Sequence, residues 1–192
     1  MRTITQEELD QILADHVLWL KDNSIGECAN LSGAKLTDAD LADANLRGVN
    51  LSGTNLTDVD LAVAYLADAN LTGANLCRAN LRRANLIGAN LTNVYLPHTN
   101  LIGATLTNAN LLYTNLTNAN LFSANLTDAK FGLNIIDAVS IKYTTFSQDA
   151  LMWLILRKDW AKEKVTVTIS STTKKEKRKD QQNTKHHQLF PM

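Results

Sequence analysis

Residues 69–91 read ANLTGANLCRANLRRANLIGANL. Leu recurs at every fifth position, and Ala stands two places before each Leu. A period of five fits neither regular element. Five residues of α-helix advance about 140° net, so the leucines would spiral around the rod. In a flat strand they would point to opposite faces in turn. A chain that turns one corner per pentad sends every Leu the same way. Four corners close a square coil of about twenty residues. Stacked coils then pair edge to edge at the strand spacing of about 4.8 Å.

Outward from this stretch, the centres run without a gap from Leu31 to Leu126. They continue as Phe131, Ile136, Ile141, Phe146 and Leu151, twenty-five centres in all. The pattern resembles the pentapeptide-repeat family, whose motif is A(D/N)LXX, over about Ala29–Leu151. The resemblance implies an all-β solenoid, a right-handed quadrilateral β-helix of about six coils. It also implies that each centre and the residue two before it point inward. That second inward position is Ala, Val or Thr through Ala129, then Asn134, Val139, Thr144 and Asp149. Asn dominates the place before each centre, where a short amide can bond nearby backbone and ladder with its copy one coil away.

Solenoids need covered ends. Residues 5–22, TQEELDQILADHVLWLKD, read as a helix with a Thr5/Glu8 capping box and an Ile4/Leu9 staple. Leu9, Ile12, Leu13, His16 and Leu20 share one face, so His16 reads as a packed cap residue. HVLWL resembles the leader of many bacterial members of the family. Residues 147–160, SQDALMWLILRKDW, read as a second helix with Ser147 as N-cap. It is apolar on more than one face, so it caps the last coil or also meets a second copy. Met152, Trp153, Ile155 and Leu156 are the candidate dimer contact. The expected organisation is therefore a cap and link at 1–27, repeats at 28–151, a helix at 147–161 and a basic tail at 162–192. Short α-helical caps stand at both ends. Within the tail, VTVTIS reads as an edge strand, and the remainder as flexible.

The formal net charge of zero hides an asymmetry. Residues 162–192 hold eight Lys/Arg against three Asp/Glu, and the rest of the chain eleven against sixteen. Two cysteines are too few for a disulfide framework or a zinc site, and suit a reduced, cytoplasmic setting. The acidic start lacks the look of a signal peptide. The longest strongly apolar run, 151–156, is too short to span a membrane.

Residues twenty apart should stack, which converts the sequence into surface columns. One reads Asp38, Asp58, Arg78, His98; the next Asp40, Asp60, Asn80; a third Asp43, Val63, Arg83; a fourth Ala62, Arg82, Ile102, Phe122. This flank starts acidic and turns basic, and Asp38, Asp40, Asp43, Asp58, Asp60, Arg78, Arg82 and Arg83 form the candidate partner surface. Asp38 over Asp58 needs a compensating charge, which Arg78, a cation or a basic partner would supply. Ile102, Leu112, Tyr113 and Phe122 also sit at outward positions.

No nucleophile–base pair, phosphate loop or metal-ligand spacing is brought together. The expected role is a non-enzymatic scaffold for a protein partner, without cofactor or metal. Nucleic acid enters only as a ligand of the basic tail. The resemblance supplies an alternative, because acidic members of the family mimic DNA and bind gyrase. Here the repeats carry nine acids and seven bases, and three Arg interrupt the acidic flank.

Overall fold

The computed structural model describes residues 1–131, 144–146 and 168–169. The expected helix at 147–161, with Met152, Trp153, Ile155 and Leu156, lies outside them, as does most of the 162–192 tail.

The twenty-residue register holds throughout the described repeats. Parallel bridges join Asn30 to Asn50, Lys35 to Asn55, Asp40 to Asp60 and Asn45 to Tyr65, and each column continues upward. These four columns are the four faces of a coil. The inward set is the expected one: every centre Leu from 31 to 126 is buried, with the Ala, Val or Thr two places before nearly all of them. Ala39, Ala44 and Ala129 are only half-buried.

One pentad shows why the chain repeats. Ala69 donates to the Leu66 carbonyl at 3.1 Å, closing the corner. Asn70 donates to Val49 at 3.0 Å one coil below, and Leu71 to Asn90 at 2.8 Å one coil above. Gly73 donates to Thr92 at 3.0 Å. The remaining amide, that of Thr72, donates to the side-chain Oδ1 of Asn70 at 3.1 Å. All five N–H groups are thus satisfied, and burial demands that they be. Asn is repeated because its side chain takes the one amide that no carbonyl reaches. The ladder also forms, with Asn70 Nδ2 on Asn50 Oδ1 at 3.4 Å and Asn100 Nδ2 on Asn80 Oδ1 at 3.3 Å. Where Tyr95 replaces Asn, the residue two on is Pro97, which has no N–H to satisfy. Buried threonines follow the same accounting. Thr54, Thr99 and Thr144 donate to the Leu31, Leu76 and Leu121 carbonyls at 2.8, 2.7 and 2.6 Å.

The second residue after each centre adopts positive φ, from Gly33 to Asp128. Only this third corner residue does so, as a type II turn requires. Glycine fills it six times (33, 48, 53, 73, 88 and 103), but Val63, Arg78, Arg83 and Tyr113 are also held there, at φ 62, 58, 58 and 60.

At the start of the chain, β1 (Arg2–Thr3) pairs in parallel with β2 (Ala34–Lys35), adding an edge below the first coil. Helix α1 (Gln6–Lys21) follows with its capping box formed: Glu8 N donates to Thr5 Oγ1 at 3.2 Å and Thr5 N to Glu8 Oε2 at 3.1 Å. Leu9 is fully buried within the cluster of repeat leucines, and Ile4, Ile12 and Leu13 pack beside it. The Gln6 amide bonds the Asp40 backbone on both sides, each at 3.3 Å, taking the place of a coil below. The link back to the repeats passes so close to α1 that a Cβ on Gly26 would lie 2.2 Å from the Asp15 carbonyl. Toward the other end, β3 (Asn110–Leu111) pairs with β5 (Lys130–Phe131). Strand β4 (Asn125–Leu126) pairs with β6 (Thr145–Phe146), which pairs with β7 (Thr168–Ile169) inside VTVTIS.

Candidate interaction surfaces

The eight charged residues singled out by their spacing do share one flank. Asp40 bridges Asp60, and Asp60 bridges Asn80. Along the neighbouring corner, the amides of Asp38, Asp58 and Arg78 each donate to a carbonyl one coil up, at 3.0–3.1 Å. On the other corner, Asp43 donates to Ala62, Val63 to Arg82 and Arg83 to Ile102, each at 2.9 Å.

The carboxylates are not equivalent. Arg78 grips Asp58 through both nitrogens, with Nε 2.7 Å from Oδ1 and Nη2 on Oδ2. That bidentate bond holds the Asp58 carboxyl below the usual range and raises the Arg78 guanidinium, to which Asp38 adds a weaker attraction. The charge compensating the Asp38/Asp58 stack is therefore internal. Asp40 and Asp60 do the structural work of the repeat Asn, accepting the Ala42 and Ala62 amides at 3.1 and 2.8 Å. Asp60 also accepts from Asn80 Nδ2 at 3.1 Å. Among the described residues, Asp38, Asp43, Arg82 and Arg83 form no ion pair. Ile102, Leu112 and Phe122 are half-buried, and Tyr113 is exposed.

A second feature was not legible in the sequence. A cleft of about 650 Å³ opens between the end of α1 and the first corners, lined by Trp19, Lys21, Asp22, Arg47, Gly48 and Asp68. Arg47 and Asp68 face each other across it at 3.9 Å. Beneath, His16 is fully buried and stacks on Trp19, with ring centroids 5.7 Å apart. His16 Nδ1 accepts the Ala29 amide at 3.3 Å, which assigns the ring proton to Nε2. Nε2 has no well-formed hydrogen bond and faces the Arg47 carbonyl. Burial lowers the imidazole below its ordinary value, and the Arg47 carbonyl opposes this more weakly. His16 is a packed cap residue with one nitrogen engaged. No cluster of metal-ligating side chains occurs among the described residues. No helix among them is long and apolar enough to cross a membrane.

The family model for pentapeptide repeats, in eight copies, matches residues 27–61, 64–96 and 99–132. The chain belongs to the pentapeptide repeat family. Its solenoid is accordingly a right-handed β-helix. Among solved structures, it is similar to HetL, a pentapeptide repeat protein involved in heterocyst differentiation regulation in the cyanobacterium Nostoc sp. strain PCC 7120. Identity is 33% over 62% of this chain and 58% of HetL, with a TM-score of 0.41, so the match spans less than two thirds of HetL. QnrB1, a plasmid-mediated fluoroquinolone resistance protein, is 19% identical over 71% of this chain and 75% of its own, with a TM-score of 0.47. Rfr23 from the cyanobacterium Cyanothece 51142 is 26% identical over 64% and 97%, with a TM-score of 0.32. No curated protein matches the chain.

Proposed function

We propose that the protein is a non-enzymatic scaffold that presents a rigid β-helical surface to a protein partner. The observation carrying this reading is the backbone accounting of the repeated pentad, completed by a side chain wherever Asn or Asp precedes a described centre. It holds every outward side chain in a fixed column and leaves recognition to surface residues. The partner surface is the Asp38–Arg83 flank, where Asp38, Asp43, Arg82 and Arg83 are available for charge pairing. In this reading the rod would have about six coils, with a helix at 147–161 as cap or dimer contact. The test is quantitative affinity capture with wild type against Asp38→Lys/Arg82→Glu, two outward side chains with no ion pair to lose. A partner retained by wild type and lost by the variant supports the flank. Equal capture by both sinks it.

A second reading has a specific observation behind it, the five carboxylates of the same flank. They would serve as a DNA surrogate for gyrase. Arg78 weakens it by neutralising Asp58 in the middle of the acidic strip. Supercoiling by DNA gyrase, with and without a fluoroquinolone, separates the two readings. Inhibition or protection at sub-micromolar protein favours the surrogate. Unchanged gyrase favours the scaffold.

A further inference from the structure

The face carrying Tyr65 differs from the rest of the surface. Along residues 62–67 the outward side chains are Ala62, Val63, Tyr65 and Ala67, with Val63 40% and Tyr65 51% exposed. Among the described residues no other coil is wholly apolar along this side. One step below stand Asp43 and Asn45; one step above stand Arg83 and Asn85. Asp43–Val63–Arg83 and Asn45–Tyr65–Asn85 are therefore two columns with equal steps on either side of the same apolar centre.

Such a strip is complementary to itself. A second copy, turned by a two-fold axis across the rod at the level of Val63, brings Asp43 opposite Arg83 twice. Asn45 then meets Asn85, and Val63 and Tyr65 meet their own copies. That is the reciprocal pattern of an isologous contact. A parallel copy related by an axis along the Val63 column would instead oppose Asp43 to Asp43, which repels.

Val63 is held at φ 62 by the repeat's own corner, which puts every residue two after a centre in this conformation. Among the described residues its side chain stays 40% exposed. Asp43 and Arg83 likewise have no ion-pair partner among the described residues.

We propose that this strip is the interface of an antiparallel homodimer, closed by two Asp43–Arg83 pairs around a Val63–Tyr65 centre. The proposal goes beyond the scaffold role: it takes Asp43 and Arg83 out of the partner flank and leaves Asp38 and Arg82, on which the capture test rests. It also differs from a dimer through residues 152–156.

The experiment is sedimentation equilibrium of the full chain against concentration, for wild type, Asp43→Arg, Arg83→Asp and the double swap. Wild type is expected at twice the chain mass. Each single swap opposes like charges in both pairs and should weaken association by about tenfold or more. The double swap restores both pairs and should restore the dimer. Circular dichroism and melting of each variant check that the coils remain folded. Four results overturn the proposal. They are a wild type at chain mass at every concentration, a dimer indifferent to the single swaps, a double swap that stays monomeric, and a double swap that fails to fold.

Discussion

The repeats at 29–131 and the leader at 1–28 bury the same kind of surface by opposite means. In the repeats, one solution recurs: an inward Leu, a small inward neighbour, an Asn that takes the spare amide, and a left-handed corner. In the leader nothing recurs. The first coil's lower edge is met by a two-residue strand, by the Gln6 amide at Asp40, and by the His16 ring at Ala29. A repeated solution spreads each demand over many similar residues. A single-use solution places each demand on one side chain.

The contrast is sharpest where a substitution strikes the core. Leu86 is fully buried among apolar neighbours, and Leu86→Arg would place an unpaired charge inside the coil. Breaking a buried charge balance costs about 3–5 kcal/mol, so the melting temperature should fall steeply. A variant melting like wild type would show that position 86 does not point inward.

The leader should break at its own weak point, and with a pH signature. His16→Leu leaves the buried Ala29 amide without an acceptor, at a cost of about 1–3 kcal/mol. The imidazole titrates below 6.5 when folded and at its ordinary value when unfolded. Its contribution is therefore complete above about pH 6.5 and is lost as pH falls through the folded value. Wild-type melting temperature should drop between pH 7 and pH 5 more than that of His16→Leu. Parallel pH curves would remove His16 from the account.

The smallest effect should be a gain within the repeats. Tyr113 occupies a left-handed corner while 78% exposed, in a column otherwise filled by Gly33, Gly53, Gly73 and Asn93. Asn visits this conformation more readily, so Tyr113→Asn should stabilise by on the order of 1 kcal/mol. An unchanged or lower melting temperature would mean that the Tyr113 ring contributes a contact offsetting its strain.

Much of the flank was legible because a twenty-residue register needs only counting. Asp38, Asp58 and Arg78 stack as their numbers require. Counting did not show what the acids do. Asp40 and Asp60 sit where the repeat places Asn, and the motif itself allows either residue there. That was a signal for a structural role, and they do accept the corner amides. The glycines carried another signal. Six of them share one pentad position, which marks a left-handed corner that every other residue at that position must also adopt. The cleft beside Trp19 had no such signal, since Arg47 and Asp68 reach it from two different coils.

The sequence by itself determined the period, the inward positions, the family and the helix start at Thr5. Each is a local rule, and in the repeats it is stated more than twenty times over. Tertiary structure alone decided that Gln6 meets Asp40, that His16 accepts the Ala29 amide, and that Arg78, one of the charges the register offered, is the one that turns toward Asp58. These contacts join residues 34, 13 and 20 apart. Each occurs once, and its geometry depends on how the leader docks and which way one side chain turns. No periodicity encodes either.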